Sequence, residues 1–295
     1  MRKYYWNTQL TIKKYKIMKK GIISIIFCLA TISIFAQTKC LTILHTNDTH
    51  SQIIPFKTTN ADTLRAGRGG FIRRIEMLKQ ERKKDPDLLL FDSGDFCQGS
   101  PYFTMYKGDV EVGLMNLMNY TAGTIGNHEF DFGLDNMIRL FKNLNYPIVC
   151  ANYDFANTEL SKLVKPYIII KRKGIKIGIF GLSPKLEGLV AKENYGPLKY
   201  KDPITCAQKA VNDLKAKGCD LIICVSHIGI NIEGISDEEV VANTRGIDLV
   251  LGGHSHTFLK ELAYVKNIDG KKIGIDQNGK SGIFVGKIIL KLTKK

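Results

Sequence analysis

The chain has 295 residues, 44% of them apolar and 24% charged, with no internal repeat and no low-complexity tract. This composition is that of a globular protein with one large or two small domains, and it excludes a small disulfide-stapled scaffold. The formal net charge of +15 comes partly from the first 36 residues, which hold seven Lys/Arg and no acid. Because the remaining basic residues are not interleaved with aromatics, we expect no nucleic-acid binding, although a basic field suits an anionic substrate.

The N-terminal segment reads as a targeting signal. Residues 21–35 form a continuous apolar run that follows a basic flank and ends at the small residue Ala36. Such a run is typical of a secretory signal peptide and is short for a membrane span. We therefore expect residues 1–36 to be a signal peptide, with Met18 as the true translation start. An uncleaved membrane anchor is the alternative.

The first predicted strand of the body of the chain spans residues 41–46. Asp48 and His50 follow it directly, two positions apart, and can turn toward one ion. The next apolar stripe has helical spacing and consists of Phe71, Ile72, Ile75 and Leu78. Arg73 and Arg74 lie off this stripe, so we expect both to be solvated.

The second strand, at 87–91, is also followed by a carboxylate. Asp95 lies a few residues beyond the strand, after Gly94, which permits close backbone approach. Cys97 is a candidate ligand as well, but a packed thiol is the favoured interpretation. A short apolar helix is predicted at 109–118.

The stretch at 126–131, GNHEFD, carries an amide, an imidazole and carboxylates within six residues. The apolar run at 121–125 precedes it, and an amphipathic helix at 134–144 follows it. It is therefore predicted to be a loop between a strand and a helix, which is where α/β proteins place ligands.

The rest of the chain continues this alternation of strands and helices. Residues 167–170 and 175–181 are predicted to form a hairpin, and 263–292 to form short strands joined by turns. Capping boxes are predicted at 205–208 and 236–239. Further strands are predicted at 147–151, 220–225 and 248–251.

The histidines carry the strongest functional signal. Of the six, only His45 lies inside a predicted strand; the other five, His50, His128, His227, His254 and His256, lie just past strand ends. The carboxyl ends of parallel strands meet at one sheet edge, so these side chains should converge with Asp48, Asp95 and Asn127. Imidazole, carboxylate and amide ligands suit two borderline divalent ions, such as zinc, manganese, iron or cobalt, that share a carboxylate.

Five ordered motifs give the chain a family resemblance over residues 41–292. They are DTH at 48–50, GD at 94–95, GNHEFD at 126–131, SH at 226–227 and GGHSH at 252–256. This set resembles the calcineurin-like metallophosphoesterases, and it is most similar to the N-terminal catalytic domain of secreted bacterial 5′-nucleotidases of the UDP-sugar hydrolase type. The resemblance implies an α/β fold, a four-layer α/β/β/α sandwich of two mixed sheets flanked by helices, with 37–295 as one catalytic domain.

The resemblance also implies roles for single residues. One metal ion would be held by Asp48, His50, Asp95 and His256. The other would be held by Asp95, Asn127, His227 and His254, with Asp95 bridging the two. His128 would stay off the metals and contact the phosphate, and Asp131 would orient it.

The expected activity is hydrolysis of 5′-nucleotides to nucleoside and phosphate by attack of a metal-bridging hydroxide. The alternatives are a phosphoesterase acting on cyclic nucleotides, UDP-sugars or other phosphate esters, a thiosulfate-ester hydrolase, and a non-enzymatic secreted binding protein. We expect the protein to be secreted across the inner membrane into the periplasm, without stable membrane association.

Typical members of the resembled group carry a second, C-terminal domain that stacks the nucleotide base, whereas this sequence stops after the catalytic domain. We expect one of two arrangements. Either a separate subunit of that C-terminal type supplies nucleotide binding, or the enzyme acts alone on a broader range of phosphate esters.

Overall fold

A computed structural model describes residues 7–12 and 38–294. The strands are β1 (Asn7–Ile12), β2 (Thr38–Thr46), β3 (Leu89–Asp92), β4 (Ala122–Gly123), β5 (Ile148–Val149), β6 (Tyr153–Asp154), β7 (Val164–Lys165), β8 (Tyr167–Arg172), β9 (Ile175–Leu182), β10 (Lys199–Tyr200), β11 (Leu221–Ser226), β12 (Leu249–Leu251), β13 (Ala263–Lys266), β14 (Lys272–Asp276) and β15 (Gly286–Lys294). The α-helices are α1 (Phe71–Lys84), α2 (Pro101–Tyr106), α3 (Asp109–Asn116), α4 (Gly133–Asn143), α5 (Leu160–Leu163), α6 (Lys192–Tyr195), α7 (Pro203–Ala216) and α8 (Asp237–Ala242), and a 3-10 turn spans His128–Phe130.

Two large mixed sheets organise these elements. The first has the order β1-β15-β2-β3-β4-β5-β7, and the second has the order β13-β14-β12-β11-β9-β8. Strands β2, β3, β4, β5 and β7 run parallel, and β15 runs antiparallel to β2. In the second sheet β9, β11, β12 and β14 run parallel between two antiparallel edge strands. A small third sheet pairs β6 with β10.

The layers follow from the alternation of side chains along each strand. Leu41 and Ile43 of β2 pack with Ile223 of β11 in an apolar cluster between the two sheets. Leu44 points the other way and packs with α1, α3 and α4 on the outer face of the first sheet. Cys224 packs with α7 and α8 on the outer face of the second sheet. This four-layer α/β/β/α arrangement confirms the predicted fold.

The predicted stripe of α1 is partly wrong. Ile72 is 65% exposed, whereas Arg74, expected to be solvated, is only 4% exposed. The buried face is therefore Phe71, Arg74, Ile75 and Leu78, at a more regular helical spacing than the purely apolar set. The Arg74 guanidinium lies over the Phe71 ring, 4.6 Å from its centroid, and such stacking lets an arginine pack in an apolar layer.

The predicted helix starts are right in one case and wrong in another. The box at 236–239 is confirmed, since Ser236 and Glu239 cap each other's backbone N–H. The box at 205–208 is wrong, because α7 begins earlier at Pro203, where Asp202 caps it by accepting from the Thr205 N–H at 2.7 Å.

Most of the residues on which the signal-peptide prediction depends lie outside the described ranges. The apolar run at 21–35 and Met18 lie outside the described residues, and residues 7–12 of the same segment pair in parallel with β15. Within the ranges that the structure describes, no helix combines the length and the apolar character needed to cross a bilayer.

Candidate metal centre

The predicted site residues converge where strands of both large sheets end. Asp48 follows β2, Asp95 follows β3 and Asn127 follows β4, all in the first sheet. His227 follows β11 and His254 follows β12, both in the second sheet. These loops lie together, as predicted, but they come from two facing sheets and not from one edge of a single parallel sheet.

Three overlapping groups of side chains have potential ligand atoms within 4.8 Å of one another. They are Asp48, His50 and His256; Asp95, His227 and His254; and His50, Asp95 and His128. The first two groups reproduce, apart from Asp95 in the first and Asn127 in the second, the two ligand sets that the resemblance implies. Because Asp95 is grouped with residues of both sets, it lies between them, as a bridging carboxylate must.

The distances within this cluster are short. His227 Nε2 lies 3.1 Å from Asp95 Oδ2 and 3.8 Å from Asp48 Oδ1. His256 Nε2 lies 3.4 Å from the same Asp48 oxygen and 2.9 Å from His50 Nε2. Two imidazole nitrogens that face each other beside a carboxylate can be satisfied by a shared proton or by a cation.

Asn127 provides the clearest test of whether a metal fits. Its side-chain oxygen is buried and has no hydrogen-bond donor among the described residues. An orphaned buried carbonyl costs about 1–3 kcal/mol, so its retention is explained if the oxygen binds a cation. The His128 backbone N–H, one residue on, donates to Asp95 Oδ1 at 2.9 Å, which connects this loop to the Asp95 carboxylate.

His227 is held in the tautomer that metal binding needs. Its Nδ1 donates to the Ser93 carbonyl at 2.5 Å, which leaves Nε2 facing Asp95 and Asp48. Burial alone would lower the pKa of His227, but these two carboxylates outweigh it and raise the pKa to about 10. The surroundings therefore favour a positive charge at this position, which a proton or a metal ion can supply.

His50, Asp95 and His254 have the protonation states expected of ligands. Burial lowers the pKa of His254 to about 4, with a further lowering by the charge of His227. Burial also lowers the pKa of His50. Burial opposes ionisation of Asp95, yet His227 and the other imidazoles hold its pKa well below the usual range. Neutral imidazoles with ionised carboxylates suit zinc, manganese, iron or cobalt.

His128 and Asp131 form a separate pair at the edge of the cluster. The His128 Nδ1 lies 3.0 and 3.1 Å from the two Asp131 oxygens. Burial opposes the imidazolium, but Asp131 and Asp95 outweigh it, so the pKa of His128 lies above its ordinary value. Both side chains remain about a third exposed, so the pair is accessible from solvent.

Glu129 is a buried residue to which the sequence assigned no role. Its carboxylate accepts backbone N–H groups from Gly126 at 2.6 Å, Asp95 at 3.0 Å, Phe96 at 2.9 Å and Cys97 at 3.3 Å. It thereby joins the loop that carries Asp95 to the loop that carries Asn127. The only sequence signal was its place inside GNHEFD.

Cys97 is a packed thiol, as expected. It is fully buried, and burial raises the pKa of its thiol well above the ordinary value. In the part of the chain that the structure describes, none of the three ligand groups contains a cysteine.

Backbone conformation also marks the site. Five of the candidate ligands adopt a positive φ, which is rare for residues other than glycine: Asp48, His50, Asp95, His254 and His256. Such residues cost on the order of 1–3 kcal/mol each and persist only where surrounding contacts impose them. Gly126 is required for a different reason, since a Cβ there would lie 2.1 Å from Asp95 Oδ1.

Comparison with known proteins gives consistent matches. A family model described as calcineurin-like phosphoesterase matches residues 41–258. The chain is 33% identical over 274 residues to the 5′-nucleotidase of Rattus norvegicus, a match that covers 86% of this chain and 47% of that protein.

Solved structures agree with this match. A 5′-nucleotidase precursor from Thermus thermophilus superposes with a TM-score of 0.77 at 29% identity, covering 86% of this chain and 54% of that chain. The NAD nucleotidase of Haemophilus influenzae superposes with a TM-score of 0.76 at 29% identity, covering 87% of this chain and 48% of that one. The chain thus spans about half the length of these relatives.

Proposed function

This chain belongs to the calcineurin-like phosphoesterase family, which makes it a hydrolase of phosphate esters, and within that class we propose that it releases phosphate from 5′-nucleotides. The observation that carries this proposal is the His128–Asp131 pair beside the cluster of candidate ligands. The names of its relatives, which are 5′-nucleotidases and a NAD nucleotidase, support the choice of substrate.

We propose that two divalent ions occupy the cluster. Asp48, His50 and His256 would hold one, and Asn127, His227 and His254 would hold the other, with Asp95 between them. When bound, such a pair of ions supplies an activated water and a positively charged clamp for the phosphoryl oxygens. The orphaned Asn127 oxygen and the tautomer of His227 support this assignment.

The protein groups would act on the substrate as follows. Asp131 holds Nδ1 of His128, so Nε2 is the ring nitrogen available to a phosphate ester. A charged His128 would donate from Nε2 to a phosphoryl oxygen or to the leaving oxygen, where negative charge grows during the displacement. Asp131 keeps the ring oriented and stabilises its charge.

The proposal extends to location. The basic flank and the apolar run at 21–35 favour export. Export would place the enzyme in the periplasm, where it would encounter extracellular nucleotides. Expression of the full chain followed by fractionation and N-terminal sequencing tests this: a start at residue 37 supports it, and cytoplasmic recovery of the intact chain contradicts it.

The activity is tested by hydrolysis of a substrate panel by the purified protein, loaded with Mn²⁺ or Zn²⁺. AMP, UMP and an aryl phosphate are assayed for free phosphate. UDP-glucose and a cyclic nucleotide are assayed by chromatography for the nucleoside monophosphate that their hydrolysis yields, because that step frees no inorganic phosphate. Each substrate is run with and without chelator, and sulfate release from a thiosulfate ester is followed in parallel. Asp95→Asn is the variant expected to be inactive, and Asp87→Asn, an exposed carboxylate before β3, is its matched control.

Chelator-sensitive release from AMP and UMP that is lost only in Asp95→Asn supports the proposal. Release from the aryl ester alone would contradict the nucleotide assignment and point to another substrate or to a separate subunit that binds the base. No release from any ester would contradict the proposed activity altogether.

A further inference from the structure

The segment at 276–281, at the end of β14, lies beyond the residues that the family model matches. Four of its side chains are buried although all four are polar: Asp276, Gln277, Asn278 and Ser281. Buried polar groups are kept where their hydrogen bonds are satisfied and specific. The partners of this segment therefore indicate what it does.

One end of the segment holds the loop that carries Asp48. The Asn47 side chain accepts from the Asn278 backbone N–H at 3.0 Å and donates to the Gly279 carbonyl at 2.7 Å. Its amide nitrogen is also 2.7 Å from Asp48 Oδ2. The Ser281 backbone N–H donates to the Asp48 carbonyl at 2.7 Å. Both the backbone and the carboxylate of Asp48 are thus fixed from this segment.

Gln277 holds the loop that carries the two histidines of the second sheet. Its Nε2 donates to the Gly253 carbonyl at 2.7 Å, and its Oε1 accepts from the Thr257 backbone N–H at 2.5 Å and the Ser255 hydroxyl at 3.1 Å. The bonded residues alternate with His254 and His256 along the chain. One glutamine side chain is therefore hydrogen-bonded to the residues on both sides of His254 and of His256.

Asp276 ties the segment to the opposite sheet. Its Oδ2 lies 2.9 Å from Nε2 of His45, a fully buried residue of β2. Gly286 makes room for this contact, since a Cβ there would lie 2.4 Å from the His45 ring. The contact crosses between the two large sheets.

We propose that Gln277, with Asn47 and the backbone of the 276–281 segment, positions Asp48 relative to His256. These contacts thereby set the affinity of the metal site formed by Asp48, His50 and His256. The inference rests on the ligand assignment of the proposed function. Groups that orient ligands without touching the metal typically change metal affinity about 10–100-fold when they are removed. Gln277 is a positioning residue in this sense and touches neither metal nor substrate.

The test measures Mn²⁺ binding to the full chain, by titration of free Mn²⁺ and by metal content after dialysis. We expect two ions per wild-type chain, and in Gln277→Ala one site weakened by about 10–100-fold. Gln277→Glu keeps an acceptor for Thr257 and Ser255 and should recover part of this loss. Lys280→Ala, in the same segment but in none of these bonds, is the matched control and should bind as wild type.

Asn47→Ala removes the side-chain hydrogen bonds between the Asp48 loop and the segment, so it should also weaken one site. This variant keeps the inference testable if Gln277→Ala does not fold. Wild-type affinity at both sites in folded Gln277→Ala and Asn47→Ala overturns it, even if both unfold at lower urea concentration. Two ions bound by a wild-type chain that hydrolyses no phosphate ester would contradict the proposed activity, whereas weakened binding in Gln277→Ala would still support this inference.

Discussion

His128 and Asp131 are joined through Nδ1 of the imidazole and both oxygens of the carboxylate, at 3.0 and 3.1 Å. The pair spans the 3-10 turn that carries the GNHEFD motif, so its geometry is set by local backbone rather than by a distant contact. It lies beside the ligand groups, and its histidine shares only the third of them, with His50 and Asp95. Its substitution should therefore separate metal binding from turnover.

We expect His128→Asn to retain both metal ions and to lose turnover by about 10²–10⁴-fold, the usual contribution of general acid catalysis. Asp131→Asn should lose less, because the imidazole remains. Metal content and kcat, measured on the same samples, check this. Near wild-type turnover in a fully loaded His128→Asn protein would show that His128 has no catalytic role.

His227→Ala should bind one metal ion per chain instead of two. The substitution removes a buried nitrogen 3.1 Å from Asp95 Oδ2 and leaves the other candidate set intact. Metal content after dialysis is the measurement, with His128→Asn as the histidine control that keeps both ions. Two retained ions per His227→Ala chain would contradict the assignment of His227.

Gly126→Ala should destabilise the protein by about 1–3 kcal/mol, as overpacking of a filled site does. The added methyl group would lie 2.1 Å from Asp95 Oδ1 and must displace it. Gly113→Ala is the matched control, because that glycine lies in α3 with no atom within 4 Å of the added carbon, and it should stabilise by about 0.5–1 kcal/mol. Urea unfolding of the chelated proteins gives both values, and equal effects would contradict the prediction.

Glu129→Gln should destabilise the protein and weaken metal binding together. The amide can accept at one end only, so some of the four backbone N–H groups now bound would face its NH₂ group. Each buried donor left unpaired costs about 1–3 kcal/mol. Glu193→Gln, at an exposed position of α6, is the control. An unchanged urea midpoint in Glu129→Gln would show that the loops are held by other contacts.

Asp237 should make stability fall as pH rises. Burial raises the pKa of this carboxyl to about 7, so in the window between its ordinary pKa and 7 the folded state binds more protons than the unfolded state. Its contribution is full below about pH 4 and is lost toward pH 7, at up to about 1.4 kcal/mol per pH unit.

In Asp237→Asn this contribution disappears. The stability of the variant relative to wild type should therefore increase from pH 4 to pH 7 and level off above it. Urea unfolding of the chelated proteins at several pH values measures the difference, and Asp87→Asn, at an exposed position, is the control. A pH-independent difference for Asp237→Asn would mean that the carboxyl titrates alike in both states.

The order of strands and helices was predictable from local patterns, whereas the four-layer arrangement was implied by the family resemblance. The strands that precede Asp48, Asp95 and His227 could be recognised from apolar runs followed by polar residues. Arg74 was misplaced because its burial depends on stacking over Phe71, which an apolar count ignores. The roles of Glu129 and Gln277 could not be predicted, since their partners are mainly backbone groups of distant loops and carry no sequence signal.

Pairing of β15 with β2 has a consequence for how the chain is made. Residues 286–293 form the hydrogen bonds of β2 at 38–45, so this edge of β2 stays open until nearly all the described residues have been synthesised. Long-range pairing of this kind slows folding and leaves an aggregation-prone edge in the nascent chain. The first sheet is thus completed only after the last of the described strands is available to pair.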